Sequence, residues 1–312
     1  MASENKKKKN AYYAAIDIGS NAARLLVKHL DKDENGDPDF IKDILLRVPL
    51  RLGFDVFKLG RISEKKEKNM IRLMKVYNNL MKIYEVDNYR ACATSAMRDA
   101  KNGADIIKKI KKETGLEIEI IDGQEEAQMV YNNHIECMED RNGNYMYVDV
   151  GGGSTEINLL SQGQLVSSRS YNIGTVRILN GAATDNEWQR LRDDMAQVAN
   201  DYKGTNIIGS GGNINKLYRM LDDSQKDKKQ MRMPINELKK LHDSLKALSV
   251  EERMEQFKLK PDRADVIVPA GDIFLTIASI INAQYIYVPV IGLADGIIDN
   301  MYAQDKAKKV AK

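Results

Sequence analysis

Two short motifs in this 312-residue chain combine residue types that could bind phosphate and a cation together. Asp17-Ile18-Gly19 ends one apolar run, and Asp149-Val150-Gly151 ends another one 132 positions later (149 minus 17). The backbone N–H groups of a glycine-rich turn form a concave anion site, and a nearby aspartate can hold a hydrated divalent cation. One such motif is usually only a turn. Two copies in register predict a shared site.

The second motif continues as Gly-Gly-Gly-Ser-Thr-Glu and so adds Glu156 beside Asp149. A third glycine turn, at 209–212, follows an apolar run and opens a helical pattern, and a helix N-terminus favours an anion. A fourth turn, at 292–296, opens the last helical pattern. Carboxylates and glycine turns together predict phosphate chemistry assisted by Mg²⁺ (or Mn²⁺).

The elements that must position these turns follow from hydrophobic periodicity. The first half predicts strands at 11–18, 24–29, 41–49, 89–93 and 116–121, and helices at 63–85, 104–113 and 124–138. The second half predicts strands at 145–150, 154–160, 164–171, 206–209 and 285–288, and helices at 185–202, 212–221, 235–248, 270–282 and 294–310. In the helix at 63–85, Met70, Met74, Tyr77 and Met81 share one face, which indicates core packing.

The 132-residue offset is too long for a solenoid repeat and indicates a duplicated domain. Alternation of strands and helices is typical of a layered α/β fold. We therefore expect two duplicated α/β domains with an active-site cleft between them. Domain I would comprise residues 1–125 plus 299–312, with 1–10 as a disordered polar tail, and domain II would comprise residues 126–298.

Composition excludes several other classes. The 48 Lys and Arg residues against 45 Asp and Glu give a net charge of +3, which argues against a dedicated DNA or RNA binder. Cys92 and Cys137 lie too far apart for a CxxC zinc site, and the three histidines are scattered. No apolar run long enough to cross a membrane and no signal peptide are visible, so we expect a cytoplasmic protein. A basic stretch at 228–240 carries interspersed acids, which indicates solvated helix faces, with guidance of a polyanion as the alternative.

Taken together, the motifs resemble the exopolyphosphatase / guanosine pentaphosphate phosphohydrolase family, a branch of the actin-like ATPase superfold with ribonuclease H-like domains. The matching segments occur in the family's order over nearly the whole chain: AIDIGSN at 15–21, RLLV at 24–27, ATSAMR at 93–98, IDGQEEA at 121–127, VDVGGGSTE at 148–156, IGTVR at 173–177, IGSGG at 208–212 and GLADGI at 292–297. The resemblance implies two actin-like domains, a homodimer, and removal of the terminal phosphate from a polyphosphate chain.

The resemblance and the residue chemistry together give a set of candidate roles. Glu126, the second acid of the Glu-Glu-Ala segment, would be the catalytic carboxylate that activates water, whereas Glu125 would only cap its helix. The metal would be held by Asp149 and Glu156, with Asp17 assisting. The remaining candidates would bind phosphate through backbone N–H groups, hydroxyls or guanidinium groups: Asp17, Gly19, Ser20, Asn21, Arg24, Ser95, Arg98, Gly151, Gly152, Gly153, Ser154, Gly211 and Gly212.

Two departures from the family pattern are visible. Ala22 stands where the family usually has a serine, so one hydroxyl contact to phosphate is missing. The chain ends at Lys312, so we expect the short two-domain form without the additional C-terminal helical region of longer relatives.

The leading interpretation is an exopolyphosphatase acting on inorganic polyphosphate. The main alternative is a guanosine pentaphosphate (pppGpp) phosphohydrolase, which would use the same residues. A kinase or ATPase of the same superfold lacks a reason for the Glu-Glu-Ala segment. A nucleotide sensor without activity would have no use for Glu126, Asp149 and Glu156.

Overall fold

The computed structural model describes residues 10–131, 140, 142–289 and 292–310. The proposed tail at 1–9 and the end of the predicted helix at 132–138 lie outside these residues. Two β-sheets form the frame of the protein. The strands are β1 Tyr12–Ile18, β2 Ala23–Lys32, β3 Pro38–Val48, β4 Asn88–Ala93, β5 Glu119–Ile120, β6 Asn144–Val150, β7 Thr155–Ser161, β8 Gln164–Tyr171, β9 Asn206–Ser210, β10 Arg232–Pro234 and β11 Tyr285–Tyr287.

Helices cover both sheets. They are α1 Leu52–Leu59, α2 Glu64–Ile83, α3 Ser95–Asp99, α4 Gly103–Thr114, α5 Gly123–Tyr131, α6 Thr175–Leu179, α7 Asp185–Asp201, α8 Gly212–Met220, α9 Ile235–Lys246, α10 Val250–Gln256, α11 Pro261–Ala264, α12 Ile267–Ile280 and α13 Leu293–Val310. Each sheet with its helices is called a lobe below.

The two sheets share one topology, which confirms the predicted duplicated α/β fold. The first has the order β3-β2-β1-β4-β5, and the second has the equivalent order β8-β7-β6-β9-β11, extended by β10. In each sheet the first three strands are antiparallel, and the first strand pairs in parallel with the fourth. Because β1 and β6 are central and equivalent, the turns that follow them occupy equivalent positions in the two lobes.

The apolar core of the described residues consists of three clusters, one within each lobe and one between the lobes. One lies between the first sheet and helices α2 and α4, where Met70, Met74, Tyr77 and Met81 are buried as predicted. The largest one fills the second lobe around Phe274 of α12. The third contains residues of both sheets and of α13, including Tyr13, Tyr147 and Ile297, so apolar packing fixes α13 between the lobes.

Most of the predicted elements are present, and the differences have physical reasons. The strand expected at 116–121 is reduced to Glu119–Ile120. Helices α1, α3, α6, α10 and α11 and strand β10 were not predicted. These elements have eight residues or fewer, which is too short for a hydrophobic period to become visible. Three of them, α3, α6 and α11, contribute residues to the lining of the cleft.

No helix among the described residues is long and apolar enough to cross a membrane.

Candidate active site

The first turn, residues 19–22, is closed by one backbone hydrogen bond, and a second backbone hydrogen bond joins it to α1. The N–H of Gly19 donates to the carbonyl oxygen of Ala22 at 3.1 Å, and the N–H of Gly53 donates to the carbonyl oxygen of Ser20 at 2.8 Å. The Ser20 side chain is buried, and its Oγ has no hydrogen-bond partner among the described residues. A buried hydroxyl without a partner at a glycine turn fits a contact to a ligand oxygen.

The second turn repeats this geometry. The N–H of Gly151 donates to the carbonyl oxygen of Ser154 at 3.0 Å. Helix α6 approaches from beneath, where the N–H groups of Val176 and Arg177 donate to the carbonyl oxygen of Gly152 at 2.8 and 3.0 Å. With their carbonyl groups fixed by α6, the N–H groups of this turn have a defined orientation, as a preorganised anion site requires.

The two turns touch each other. A Cβ atom on Gly152 would lie 3.0 Å from the Cβ of Ser20 and 3.1 Å from the backbone nitrogen of Asn21. A Cβ on Gly153 would overlap Ser95 at the start of α3. Glycine is therefore required here because two backbones approach closely across the lobes.

A cleft of about 470 Å³ opens between the turns and holds groups from both lobes. This volume is typical of sites for small molecules. The start of α8, the region of α11 and the start of α13 complete the lining. Arg263 of α11 donates from Nη1 to Oδ1 of Asn213 at 2.5 Å, and burial together with Arg47 and Arg24 lowers the pKa of Arg263 to about 9.

Glu126 stands in the first turn of α5 on the cleft wall. Its N–H donates to the carbonyl oxygen of Asp122 at 3.0 Å, and α5 is fixed to the second sheet by the Asn158 amide, which donates to the carbonyl oxygen of Ala127 at 2.7 Å. Oε2 of Glu126 is buried and lacks a hydrogen-bond partner among the described residues. Glu125 points elsewhere and forms an ion pair with Arg90 at 2.7 Å. Only Glu126 can therefore serve the cleft.

The acids of the second lobe repel one another. Burial raises the pKa of Asp149 to about 6, with a smaller contribution from Asp17, although Arg24 opposes it. Burial and Asp149 raise the pKa of Glu156 to about 7 against the hydrogen bonds from Ser154 and Ser170. Burial, Glu156 and Asp149 raise the pKa of Glu126 well above its usual range. Such a cluster favours either protons or a bound cation.

A sequence model identifies the family. The model of the Ppx/GppA phosphatase family matches residues 39–305. The chain belongs to the Ppx/GppA phosphatase family. This assignment confirms the resemblance drawn from the motifs.

Relatives in the family carry several activities. The chain is 28% identical to a bifunctional 3-dehydroquinate synthase/phosphatase of Fusobacterium nucleatum, over 91% of this chain and 46% of that protein. It is 25% identical to a guanosine-5'-triphosphate,3'-diphosphate pyrophosphatase of Aeromonas salmonicida, over 92% of this chain and 58% of that protein. The chain thus spans about half the length of the curated relatives it matches.

Solved structures agree on the fold. The Ppx/GppA family member from Aquifex aeolicus superposes with a TM-score of 0.74 at 26% identity, covering 95% of this chain and 99% of that one. An exopolyphosphatase from Cytophaga hutchinsonii superposes with a TM-score of 0.81 at 22% identity, covering 94% and 98% of the two chains. At that identity the second likeness shows the fold alone.

The Ppx/GppA cleft brings together all but two of the site residues expected from sequence. Those that line it are Asp17, Gly19, Ser20, Asn21, Arg24, Ser95, Glu126, Asp149, Gly151, Gly152, Gly153, Ser154, Gly211 and Gly212. Ala22, where the family usually has serine, also lines it and supplies the carbonyl that closes the first turn. The roles of these residues remain predictions.

The two exceptions, Arg98 and Glu156, lie behind the lining. Nη1 of Arg98 donates to the carbonyl oxygen of Ile121 at 2.5 Å and lies 4.0 Å from Oε2 of Glu126. Oε1 of Glu156 accepts from the Ser170 hydroxyl at 3.0 Å. In this arrangement Arg98 supports the carboxylate of Glu126 instead of facing the open cleft.

Sequence reasoning missed most of the cations that line the cleft. Besides Arg24, the lining includes Lys42, Arg47, Lys216, Arg219, Lys258, Lys260 and Arg263. Arg47 could have been found from strand register, since it lies opposite Arg24 on β3. Lys216 and Arg219 follow Gly212 at helical spacing, which places them on one face of α8. The basic stretch at 228–240 lies away from the cleft, and its Lys228 and Lys240 pair with Asp223 at 2.5 Å and with Glu237 at 2.7 Å.

The donor set fits a hard divalent cation in part. No group of three or more histidine, cysteine or acidic side chains with metal-site geometry occurs within the described ranges. Asp17 forms an ion pair with Arg24, which competes with its expected role as a metal ligand. Glu156, by contrast, is buried, and it is the cross-strand neighbour of the half-buried Asp149, whose repulsion a cation would relieve. Their carboxylate oxygens match the preference of Mg²⁺, which also keeps water ligands.

Proposed function

We propose that this protein is an exopolyphosphatase that hydrolyses the terminal phosphoanhydride bond of inorganic polyphosphate with Mg²⁺ (or Mn²⁺) as cofactor. The single observation that carries the choice of substrate is the charge distribution along the cleft. Asp17, Ser20, Glu126 and Ser154 of the lining are buried and form the floor, whereas the lining cations Lys42, Arg219, Lys258 and Lys260, which come from both lobes, are exposed and form the outer end. We therefore expect hydrolysis to take place beside the glycine turns, with the rest of a long polyanion lying along the cations.

The outer cations have few acidic partners. Within the described residues, Lys42, Lys216, Arg219, Lys258 and Lys260 form no ion pair, while Arg47 pairs with Asp262 at 2.5 Å. A local positive field of this kind attracts a polyanion although the net charge of the whole chain is only +3. It therefore supports a substrate with many phosphates more strongly than a small phosphate ester.

The residues of the floor divide the reaction between them. The two turns would hold the terminal phosphoryl group through N–H donors, and Arg24 would balance charge on its oxygens. Glu126 would orient the attacking water and accept its proton, and a carboxylate whose pKa is raised above its usual range is a stronger base for that step. Mg²⁺ held by Asp149 and Glu156 would offset the developing negative charge.

Hydrolysis of pppGpp is the second candidate, and a specific observation favours it. Leu45, which is 52% exposed, lies directly opposite Leu26 on the hairpin of the first lobe, and both line the cleft together with Leu293. An apolar patch between phosphate-binding groups suits a nucleoside better than a linear inorganic chain.

A substrate panel distinguishes the two candidates. Phosphate release would be measured with Mg²⁺ from long-chain polyphosphate, tripolyphosphate, pppGpp and ATP, with Glu126→Gln as the background control. The proposal expects the highest kcat/KM for polyphosphate. A higher kcat/KM for pppGpp would transfer the assignment to the second candidate, and release from ATP alone would contradict both.

Three further expectations from the sequence are part of the proposal. We propose that the protein acts in the cytoplasm, that it forms a homodimer, and that it has no nucleic-acid or membrane partner. Sedimentation of the purified chain would test the dimer, because a monomer at working concentration would contradict it.

A further inference from the structure

Arg177 of the second lobe, the last residue of the IGTVR segment, contacts residues of both lobes. We propose that Arg177 is a positioning residue that fixes the second phosphate turn, residues 151–153, against helix α3 of the first lobe. The expected effect of Arg177 on kcat rests on the proposed function, whereas its expected effect on the distance between the lobes does not.

The guanidinium group of Arg177 joins both lobes. Nε donates to the carbonyl oxygen of Gly153 at 2.7 Å, and Nη2 donates to Ser95 Oγ at 3.3 Å and to Asp99 Oδ2 at 2.5 Å. The same group stacks on the ring of Phe57, 4.1 Å from its centroid. Only 11% of the side chain is exposed, so bulk water screens these contacts weakly.

The contacts of Arg177 end on elements that the site uses. Gly153 belongs to the turn that would hold phosphate, and Ser95 and Asp99 are the first and last residues of α3. Helix α3 also carries Arg98, the cation beside Glu126. A shift of α3 relative to the turn would therefore move the phosphate cradle and the partner of the proposed base relative to each other.

The surroundings leave little room for adjustment. A Cβ atom on Gly153 would lie 2.7 Å from both Phe57 Cζ and Ser20 Oγ, and one on Gly174 would lie 2.5 Å from the backbone of Gly153. Close packing holds the turn from two sides, and Arg177 supplies the directional bonds on the third. A planar guanidinium can donate to several acceptors and stack at once, which an ammonium group cannot do.

A purely structural role would give a different pattern of effects. Asp194 provides the control, since it accepts a hydrogen bond from the Tyr171 hydroxyl at 2.7 Å and pairs with Arg169, all in the second lobe and outside the cleft lining. Asp194→Ala should lower the melting temperature without removing a contact of the cleft. Arg177→Ala should lower kcat for tripolyphosphate about 10-fold or more, because small misplacements near the reacting atoms are costly.

The kinetic arm compares Arg177→Ala, Arg177→Lys and Asp99→Ala. The expected result is a fall in kcat with KM changed by less than about threefold, since binding through the remaining donors persists. Lys at position 177 should restore only part of kcat. Asp99→Ala should have a smaller effect that disappears in the Arg177→Ala background, as expected for two residues that act through one contact.

The structural arm needs no activity. Spin labels on Lys82→Cys of α2 and Lys239→Cys of α9, both exposed positions, report the distance between the lobes in a Cys137→Ser background. Arg177→Ala should broaden or shift that distance distribution, and Asp194→Ala should leave it unchanged.

The two arms separate failure of this proposal from failure of the proposed function. If the wild-type protein releases no phosphate from any substrate, the proposed function fails and the distance measurement alone decides the role of Arg177. An unchanged distance distribution in folded Arg177→Ala and Arg177→Lys would overturn the proposal. So would a loss of melting temperature in both Arg177 variants with kcat unaltered.

Discussion

The two glycine turns are closed by the same backbone hydrogen bond but differ in the charge of one neighbouring side chain. Each is closed by the same hydrogen bond, from Gly19 to Ala22 at 3.1 Å and from Gly151 to Ser154 at 3.0 Å. The cross-strand partner of the strand-ending aspartate lies seven residues later in both copies. In the first lobe that partner is Arg24, and in the second lobe it is Glu156.

From this difference we expect the two turns to bind differently: the first an anion alone, and the second an anion together with a cation. The first lobe pairs Asp17 with Arg24, so its turn is suited to an anion. The second lobe sets Asp149 beside Glu156; burial raises the pKa of Asp149 to about 6, and burial together with Asp149 raises the pKa of Glu156 to about 7. Its turn thus suits an anion only when a cation is present.

Removing the carboxylate of Glu126 should have the largest effect on activity. Glu126→Gln keeps the size of the side chain, so the fold should persist, and phosphate release should fall by ~10²–10⁴-fold because the general base is lost. Steady-state kinetics on polyphosphate with saturating Mg²⁺ measures this. Glu125→Gln is the control, since Glu125 pairs with Arg90 outside the cleft. Equal activities of the two variants would remove Glu126 from its proposed role.

The next prediction compares the two aspartates directly. Asp149→Asn should raise the Mg²⁺ concentration for half-maximal activity ~10-fold or more, as loss of a ligand or its support commonly does. Asp17→Asn should change it much less and instead raise KM, because Arg24 loses its ion-pair partner. Metal titrations at fixed polyphosphate measure both effects. Equal metal dependence would mean that the lobes do not divide the work in this way.

Stability should depend on pH through the second lobe. In the unfolded chain Asp149 and Glu156 would titrate near pH ~4, well below their folded pKa values of about 6 and about 7. The native state then holds protons that the unfolded chain has released. This stabilisation is complete below pH ~4 and is lost as the pH rises through about 7.

Urea unfolding without metal at pH 5 and pH 7 measures this dependence. The free energy of unfolding should fall by ~3 kcal/mol between these pH values, since each of the two groups contributes at least about one pKa unit and one unit is worth about 1.4 kcal/mol. Glu156→Gln should reduce the fall, and Mg²⁺ at pH 7 should recover part of it. A fall of the same size in Glu156→Gln would place the responsible group elsewhere.

The backbone arrangement could be predicted from the sequence more completely than the positions of the side chains. The repeat of Asp-x-Gly at 132 residues predicted the duplicated fold, because a turn after a central strand has a strong local signature. The repeat and the family resemblance together predicted nearly all of the residues that line the floor of the cleft. Glu156 was proposed as a ligand, but its position behind the lining depends on register with β6 and on Ser170, and neither is visible in sequence.

The missed features depend on contacts between distant segments. Arg47 meets Asp262 over 215 positions, and Arg177 meets Asp99 over 78. The helices that carry Arg177 and Asp99, α6 and α3, have five residues each, so no hydrophobic period reveals them. The basic stretch at 228–240 looked more conspicuous in sequence than Lys42 and Lys216, yet its Lys228 and Lys240 pair with Asp223 and Glu237. Local charge density therefore did not locate the positive surface of the cleft.

At the outer end of the cleft the lobes become alike again, since the first supplies Lys42 and the second supplies Lys216. Lys42→Ala and Lys216→Ala should each raise KM for long polyphosphate about two- to threefold at low salt and leave kcat unchanged, because an exposed charge contributes ~0.5 kcal/mol. Both effects should shrink as salt screens the field. Lys228→Ala, which removes a cation already paired with Asp223, should have no effect. If only Lys216→Ala raises KM, the substrate follows the second lobe alone.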